Sequence, residues 1–299
     1  MKTYIDCVPC FFSQALRAAR IAGAGERAQK EILDKVARAL PGFSMNSCPS
    51  EMGRILYRIV REVTGVNDPY LKLKRDSNRE ALKVYGLLKK RVARSKDRLL
   101  AAVQLAIAGN IIDYGANSSL NVARELTRIL KEENRIIRGE NSRLFVYRSF
   151  RAAVRKAEKV LYIGDNSGEI VFDRILLEEI KNAGRPKEII FSVKGGPVIN
   201  DALKEDAVMC GIDKTAKVIS NGVDAPGAIL RLCSKKFLKV FNRADIIISK
   251  GQGNFEALSG DKMAAGRPVF FLFVVKCPVS SKHMDCGMGS IILSRRPVR

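Results

Sequence analysis

The chain has 299 residues, of which 53 are Lys or Arg and 31 are Asp or Glu, so its formal net charge is +22. Hydrophobic residues make up 46% of the sequence, which excludes a disordered polyelectrolyte and allows a large core without disulfide staples. The apolar runs are far shorter than the ~20 residues that cross a bilayer, and the N-terminus lacks the apolar core of a signal peptide. We therefore expect a cytoplasmic protein with no membrane partner.

The positive charge is spread along the chain. Residues 1–150 carry a net charge of +13 and residues 151–299 carry +9, and the densest stretch, 72–98, has 11 basic and 3 acidic residues. Apolar residues recur there at near-helical spacing, so the basic side chains can form a solvated outer face. A surface that attracts phosphate groups is the alternative. Because no DNA- or RNA-binding motif accompanies the charge, a nucleic-acid partner is not expected.

The first 150 residues predict an all-helical domain that contributes to a substrate cleft. Cys7 and Cys10 form a CxxC motif ahead of an amphipathic pattern. The remaining cysteines offer no second close pair, so these thiols are either structural or have an ancillary metal or redox role. Apolar positions three and four apart predict further helices at 26–40, 50–64, 79–108 and 120–130.

A short polar segment, 109–115, interrupts the helical pattern late in this half. It contains Asn110 and Asp113 between Gly109 and Gly115. One interpretation is a helix end with a capped turn. The other is a loop that enters the ligand crevice, in which Asn110 and Asp113 contact the substrate.

The pattern changes after about residue 155. Short β-branched runs predict strands at 160–163, 188–193, 217–219, 245–249, 269–275 and 290–293. Helical patterns lie between them at 170–182, 198–210, 225–232 and 254–258. Strands that alternate with helices predict that residues 151–299 form a Rossmann-like, three-layer α/β domain with a mostly parallel sheet.

Polar side chains follow three of these strands at the point where each strand ends. Asp165 and Asn166 follow the first strand, Asn200 and Asp201 come after the second, and a later strand ends at Lys250. Because the carboxyl ends of parallel strands meet at the same edge of a sheet, we expect these side chains to converge there. Asp165 and Asp201 are 36 positions apart, which is about one strand–helix–strand unit.

The residue types indicate a metal site. Asp165, Asn166 and Asp201 offer the hard oxygen ligands that Mg²⁺ or Mn²⁺ prefers. His283 is the only histidine and lies outside these clusters, which excludes a histidine-rich zinc centre.

Lys250 precedes a glycine-containing turn at a predicted helix start. There its charge and the backbone N–H groups around Gly251 are available to an anion, so this segment predicts a phosphate site. Together with the acidic cluster, it indicates metal-assisted phosphoryl chemistry.

Each motif also has a purely structural interpretation when it is taken alone. The residues of 164–168 are common in turns, Asn200 and Asp201 can cap a helix, and Lys250 can lie in solvent. Their joint occurrence favours the functional interpretation. The dinucleotide fingerprint GxGxxG, the Walker A motif and the GxSxG nucleophile elbow do not occur in these segments.

The sequence resembles the DUF89, or ARMT1-like, damage-control phosphatases, in their archaeal and bacterial branch. The matching segments run in the family's order over nearly the whole chain. They are Cys7-Val8-Pro9-Cys10, Asp68-Pro69-Tyr70 with Ser77-Asn78, Gly109-Asn110-x-x-Asp113, Gly164-Asp165-Asn166-Ser167-Gly168-Glu169-Ile170, Lys194-Gly195-Gly196-Pro197-x-x-Asn200-Asp201, Lys250-Gly251-Gln252-Gly253-Asn254 and Lys276-Cys277. The combination of the three segments that begin at 164, 194 and 250 is specific, whereas CxxC and Lys-Cys are weak alone.

The resemblance implies a helical domain on a Rossmann-like domain, and phosphatase activity on small phosphorylated metabolites with one divalent metal ion (Mn, Mg, Ni or Co). Family members hold the metal at the positions of Asp165, Asn166 and Asp201, and phosphate at the position of Lys250. A supporting role in phosphate binding is implied for Asn254. Members of the eukaryotic branch hydrolyse sugar phosphates and related damaged metabolites, and the resemblance does not extend to the substrate of this chain.

Phosphomonoester hydrolysis is therefore the predicted reaction, with Asp165, Asp201 and Lys250 as catalytic residues. Attack by water and covalent attack by Asp165 both remain open. One rival function is that of an S-adenosylmethionine-dependent carboxyl methyltransferase, which the fold permits although the usual glycine-rich loop is not evident. The other is a basic nucleic-acid-binding protein. No oligomeric state is predicted.

Overall fold

A computed structural model of the chain describes residues 1–109, 143–184 and 186–296. Over these ranges it contains eleven α-helices and one six-stranded sheet. The helices are α1 (Cys7–Ile21), α2 (Glu26–Ala39), α3 (Pro49–Thr64), α4 (Leu71–Ala93), α5 (Arg98–Ala108), α6 (Tyr147–Lys156), α7 (Glu169–Gly184), α8 (Lys204–Met209), α9 (Lys235–Arg243), α10 (Gln252–Leu258) and α11 (Pro278–Met284). The strands are β1 (Lys159–Ile163), β2 (Glu188–Val193), β3 (Lys217–Ser220), β4 (Ile246–Lys250), β5 (Val269–Val274) and β6 (Ile291–Arg295).

The sheet has the strand order β3-β2-β1-β4-β5-β6. Strands β1 to β5 pair in parallel, and β6 pairs antiparallel with β5. The order reverses at β1, whose neighbours are β2 and β4. This arrangement confirms the predicted α/β fold with a mostly parallel sheet. Its reversal point, where crevices open outside the carboxyl ends of the strands, lies beside the predicted site residues.

Both faces of the sheet are buried, which explains why its strands are almost continuously apolar. Successive side chains of β1 point to opposite faces: Val160 and Tyr162 join one hydrophobic cluster, and Leu161 and Ile163 join the other. Each face is covered by helices, so the domain has three layers.

The helices of the first 109 residues pack in these same two clusters. Helices α4 and α5 lie in the cluster of α7, and α5 also contacts β5. Helices α1, α2 and α3 belong to the cluster on the opposite face, where α3 contacts α10. The helical half therefore supplies side chains to both layers that flank the sheet. The division into domains at residue 150 stays a prediction.

The predicted helix over 79–108 is wrong in its extent. The structure has two helices there, and the first begins earlier, at Leu71. They are separated at 94–97, and the Asp97 side chain accepts a hydrogen bond from the Leu100 N–H at 3.1 Å and so caps α5. The expectation of an outer basic face also has an exception, since Lys74 on α4 is completely buried.

Two predicted helices in the α/β half also differ. The prediction at 198–210 is confirmed only for α8, and 225–232 is helical only in a short 3₁₀ turn, Leu230–Leu232. In the second segment Pro226 lacks an N–H, and its carbonyl accepts a hydrogen bond from Lys194 Nζ at 2.8 Å. Backbone groups that bind buried side chains are not available for helical hydrogen bonds.

The predicted helix at 120–130 and the segment with Asn110 and Asp113 lie outside the described residues. Over the ranges that the structure does describe, no helix is both long enough and apolar enough to span a bilayer.

Candidate active site

The loop after β1 and the loop after β2 are joined through their backbones. The Ser167 N–H donates to the Asn200 carbonyl and the Ala202 N–H donates to the Asp165 carbonyl, each at 2.8 Å. Asn166 and Asp201 thus face each other in an isolated antiparallel bridge. The structure therefore brings Asp165, Asn166 and Asp201 together, as the spacing of the predicted strands indicated.

This pairing is the physical reason why the predicted helix does not begin at 198. The Asn200 carbonyl and the Ala202 N–H form hydrogen bonds with the loop after β1, and α8 starts only at Lys204. Ile199 is also held at φ +42°, which is uncommon for a β-branched residue and incompatible with a regular helix. Asp201 is consequently a loop residue, and the structural interpretation as a helix cap does not apply to it.

The carboxylate of Asp165 occupies space that only a glycine leaves open. Gly251 lies directly after β4 with φ +81° and ψ 158°. A Cβ atom at this position would stand 1.9 Å from Asp165 Oδ2. The chain after β4 therefore forms one wall of the acidic cluster, so that Gly251 adjoins a predicted metal ligand.

Lys250 lies beneath this wall with no exposed surface. Its Nζ forms ion pairs with Glu169 Oε1 and, at 3.1 Å, with Asp173 Oδ1. Burial alone would lower the pKa of Lys250, but the two carboxylates outweigh it and raise the pKa above its ordinary value. In this arrangement two of the three N–H donors of the ammonium group are directed at acids, which leaves the third for a phosphate.

Glu169 connects Lys250 to the predicted ligand Asn166. The Asn166 Nδ2 donates to Glu169 Oε2 at 3.0 Å and to Asp165 Oδ2 at 2.9 Å. Because the amide nitrogen is directed at two carboxylates, the orientation of the Asn166 side chain is defined, and its Oδ1 is the atom that could bind a cation.

A second buried lysine, Lys194, stands at the end of β2. Its Nζ forms an ion pair with Asp201 Oδ2 at 3.3 Å and donates to Asn254 Oδ1 at 3.3 Å. Asn254 is itself buried and donates from Nδ2 to the carbonyls of Gly164 and Lys250, at 3.1 and 2.7 Å. Asn254 thus joins the ends of β1, β2 and β4, and a contact with phosphate would have to replace one of these partners.

The charges in this cluster leave an excess of acids. Six buried ionisable residues meet at the strand ends, and their formal charges sum to −2: Asp165, Glu169, Asp173, Lys194, Asp201 and Lys250. Burial, followed by the charges of Asp201 and Glu169, raises the pKa of Asp165 well above its ordinary value. Burial likewise raises the pKa of Asp201 to about 6, against the opposing effect of Lys194, and that of Asp173 to about 7.

These observations fit a divalent cation. The donor set of two carboxylates and one amide oxygen is hard, and it matches Mg²⁺ or Mn²⁺ in type. Asp201 Oδ2 is buried and is paired with Lys194 Nζ at 3.3 Å, without a hydrogen bond of regular geometry from any residue that the structure describes. A cation between the acids would offset the burial of their negative charge, which is the main cause of their raised pKa values, and would balance the formal charge of −2.

Helix α3 borders the cluster from the helical half. Tyr57 is buried, and burial, with contributions from Tyr70 and Asp201, raises its pKa well above the ordinary value. Arg61 donates from Nη1 to the Pro197 carbonyl at 2.6 Å, and its Nη2 forms an ion pair with Asp224 at 2.9 Å. These contacts attach α3 to the turn that follows β2 and to the segment that follows β3.

Several residues of the cluster had no predicted role. Glu169 and Lys194 stand within the quoted motifs, and Asp173 lies one helical turn after Glu169 on α7. An acidic residue on the buried, otherwise apolar face of a helix is the signal that could have identified Asp173. Asn110 and Asp113, the predicted substrate contacts, lie outside the described residues.

The sequence profile of the damage-control phosphatase ARMT1-like domain matches residues 3–292. The chain belongs to this family. The match confirms the resemblance seen in the motifs. Family membership also agrees with the fold, because the profile spans both the helical half and the sheet.

Two relatives are named damage-control phosphatases. The one from Pyrococcus horikoshii is 34% identical over 297 residues, which cover 99% of this chain and 98% of the relative. The one from Archaeoglobus fulgidus is 30% identical over 294 residues and 98% of each chain. The crystal structure of a DUF89 family protein from Pyrococcus horikoshii superimposes with a TM-score of 0.88 at 32% identity, covering 99% of both chains.

Proposed function

We propose that this chain is a divalent-metal-dependent phosphatase that hydrolyses small phosphorylated metabolites. The observation that carries the proposal is the bridge between the β1 and β2 loops, which brings the oxygen atoms of Asp165, Asn166 and Asp201 to one side of the sheet. The names of the relatives support the reaction type.

In this proposal Asp165, Asn166 and Asp201 hold the metal, with Asn166 using Oδ1. A divalent cation bound there would supply Lewis-acid polarisation of a phosphoryl oxygen and would neutralise developing negative charge. The side chains are held in advance by their neighbours, since Asn166 is oriented by Glu169 and Asp201 is paired with Lys194. Such preorganisation reduces the rearrangement that the reaction requires.

The two buried lysines provide the positive charge for the phosphoryl group in the proposal. Lys250 and Lys194 lie on either side of the acidic cluster, at the ends of β4 and β2. With a divalent cation bound, the formal charge of the six-residue cluster would change from −2 to zero. An anionic ester would therefore enter the metal-bound site more favourably than the metal-free site. The basic surface of the chain would attract the same substrates at low ionic strength.

The test is a phosphatase assay of the full chain on a panel of phosphomonoesters with added Mn²⁺, Mg²⁺, Co²⁺ or Ni²⁺. We expect Asp165→Asn and Asp201→Ala to lower kcat/KM by ~100-fold or more. Mutation of residues that only orient metal ligands already lowers metal affinity or activity by 10–100-fold, and these two residues are proposed ligands. Lys250→Ala should lower it as well, and excess chelator should abolish it in the wild-type chain.

Asp213→Asn is the matched control, since Asp213 is an exposed acid outside the cluster. It should retain wild-type activity. Full activity of Asp165→Asn and Asp201→Ala, or full activity in chelator, would refute the proposal.

A further inference from the structure

One buried amide lies between the two loops that carry the proposed metal ligands. Asn78, on α4, has no exposed surface. Its Oδ1 accepts a hydrogen bond from the Gly168 N–H at 2.7 Å, two residues after Asn166. Its Nδ2 donates to Asp206 Oδ1 at 2.8 Å, in the first turn of the helix that follows Asp201. A single side chain from the helical half thus contacts the loop after β1 and the helix α8 that follows the loop of Asp201.

The two partners define the orientation of this amide. A backbone N–H can only donate and an ionised carboxylate can only accept, so Asn78 presents its oxygen to Gly168 and its nitrogen to Asp206. Asp206 is held on its other side, where Oδ2 accepts from the Leu203 N–H at 2.9 Å. Any change in the separation of the loops would therefore break a buried hydrogen bond at Asn78.

Lys74 supports the same network from one helical turn earlier on α4. It is completely buried, and its Nζ lies 2.6 Å from Asp68 Oδ2 and 3.8 Å from Asp206 Oδ2. The ammonium group thus pairs closely with Asp68 and gives Asp206 a more distant counter-charge within the same network.

The network continues the backbone bridge between the loops. Two hydrogen bonds already join the loops at Asp165 and at Ser167. The contact of Asn78 with Gly168 lies one residue beyond Ser167. Its contact with Asp206 restrains the start of α8, which follows the loop of Asp201. We propose that Asn78 is a positioning residue that sets the separation of Asp165 and Asn166 from Asp201 and thereby the affinity for the metal. This inference rests on the proposed metal site.

The first test measures Mn²⁺ binding by isothermal titration calorimetry to the full chain after treatment with chelator, together with urea unfolding of the metal-free protein. Asn78→Ala removes both hydrogen bonds and should raise the Kd for Mn²⁺ by 10–100-fold, the range typical of residues that orient metal ligands. Val84→Ala is the matched control, because Val84 is buried on the same helix but lies outside the network. It should destabilise the chain and leave the Kd within ~3-fold of the wild type.

The second test exchanges the amide at position 78 with the carboxylate at position 206. It remains decisive if Asn78→Ala folds poorly. Asn78→Asp places a carboxylate against Asp206. Asp206→Asn leaves one acceptor oxygen for two donors, the Asn78 amide and the Leu203 N–H. Each substitution should raise the Kd by 10–100-fold. The double variant N78D/D206N restores an acceptor for Gly168 and a donor–acceptor pair between 78 and 206. We expect it to recover the wild-type Kd to within ~5-fold, which a loss of packing would not do.

The outcomes separate this inference from the proposed function. If the wild-type chain binds no divalent metal, the proposed site fails and the inference fails with it. If the wild type binds Mn²⁺ but Asn78→Ala and Val84→Ala have the same Kd, only the positioning role is refuted. Additive losses in N78D/D206N, without recovery, would refute it as well.

Discussion

Gly251→Ala is the sharpest test of where the Asp165 carboxylate lies. Gly251 has φ +81° and ψ 158°, a region that is essentially limited to glycine. An added Cβ would stand 1.9 Å from Asp165 Oδ2 and 2.2 Å from Asp165 Cγ. The carboxylate or the chain after β4 must therefore move when any side chain is introduced.

The size of the effect can be worked out from these distances. Real Cβ atoms essentially never come closer than 3.0 Å to such a neighbour, so the carboxylate and the chain must separate by more than about 1 Å. Misplacement of an active-site group by ~1 Å can cost ~10²-fold in rate, and we expect a comparable loss in Mn²⁺ affinity. The backbone conformation adds a cost of about 1–3 kcal/mol to the free energy of folding.

Gly65→Ala is the control that separates two effects of Gly251→Ala: the clash with Asp165 and the strain of a side chain at positive φ. Gly65 ends α3 with φ +69°, and an added Cβ would meet no atom within 4 Å. This variant should lose about 1–2 kcal/mol of stability in urea unfolding and retain its Mn²⁺ affinity in calorimetry. If Gly251→Ala also binds Mn²⁺ as tightly as the wild type, then Asp165 does not hold the metal from its position beside Gly251.

Two further predictions concern buried charge and the single imidazole. Lys250→Met should lower the free energy of unfolding in urea by about 3–5 kcal/mol, because Glu169 and Asp173 remain buried without their cation. The control Lys30→Met, which breaks an exposed pair with Asp34, should cost less than about 1 kcal/mol. Equal losses in the two variants would refute the reasoning. His283 is the only histidine in the chain, and burial lowers its pKa, so its ring proton should titrate by NMR with a midpoint below the ordinary 6.5. Near pH 6.5 the folded state then binds fewer protons than the unfolded state. The free energy of unfolding of the wild type should therefore fall relative to that of His283→Gln as the pH drops through 6.5. A titration midpoint at or above 6.5 would contradict this prediction.

The sheet was predictable because its strands are short and largely apolar, and all except the edge strand β3 are buried on both faces. Leu161 and Tyr162 point to opposite layers, and both layers are hydrophobic, so the runs carry no polar alternation that could obscure them. The convergence of Asp165, Asn166 and Asp201 was predictable by the same reasoning, since parallel strands bring the loops at their carboxyl ends to one edge of the sheet. The spacing of Asp165 and Asp201 thus predicted their proximity, and the bridge at Asn166 confirms it.

The local form of the second loop was not predictable from its own residues. The apolar spacing of 198–210 suits a helix, but residues 200–202 form hydrogen bonds to the loop after β1. That partner lies about 35 positions away in sequence, and helical periodicity contains no information about it. The break at 94–97 has a local cause instead, the cap formed by Asp97, and this signal was present in the sequence.

The buried face of α4 indicates the contact of this helix with the candidate site more clearly than its basic surface does. Ala81, Val84 and Leu88 form a stripe at helical spacing, and Asn78 and Lys74 extend that stripe toward the N-terminus of the helix. An amide and an ammonium group on a buried stripe must find partners, because burial without a hydrogen bond or counter-charge is costly. Asn78 finds Gly168, on the loop after β1, and Asp206, in the first turn of α8. Lys74 finds Asp68 and, at longer range, the same Asp206. Polar residues within an apolar stripe thus indicated which helix supports the site, whereas the density of basic residues on α4 indicated only its solvated face.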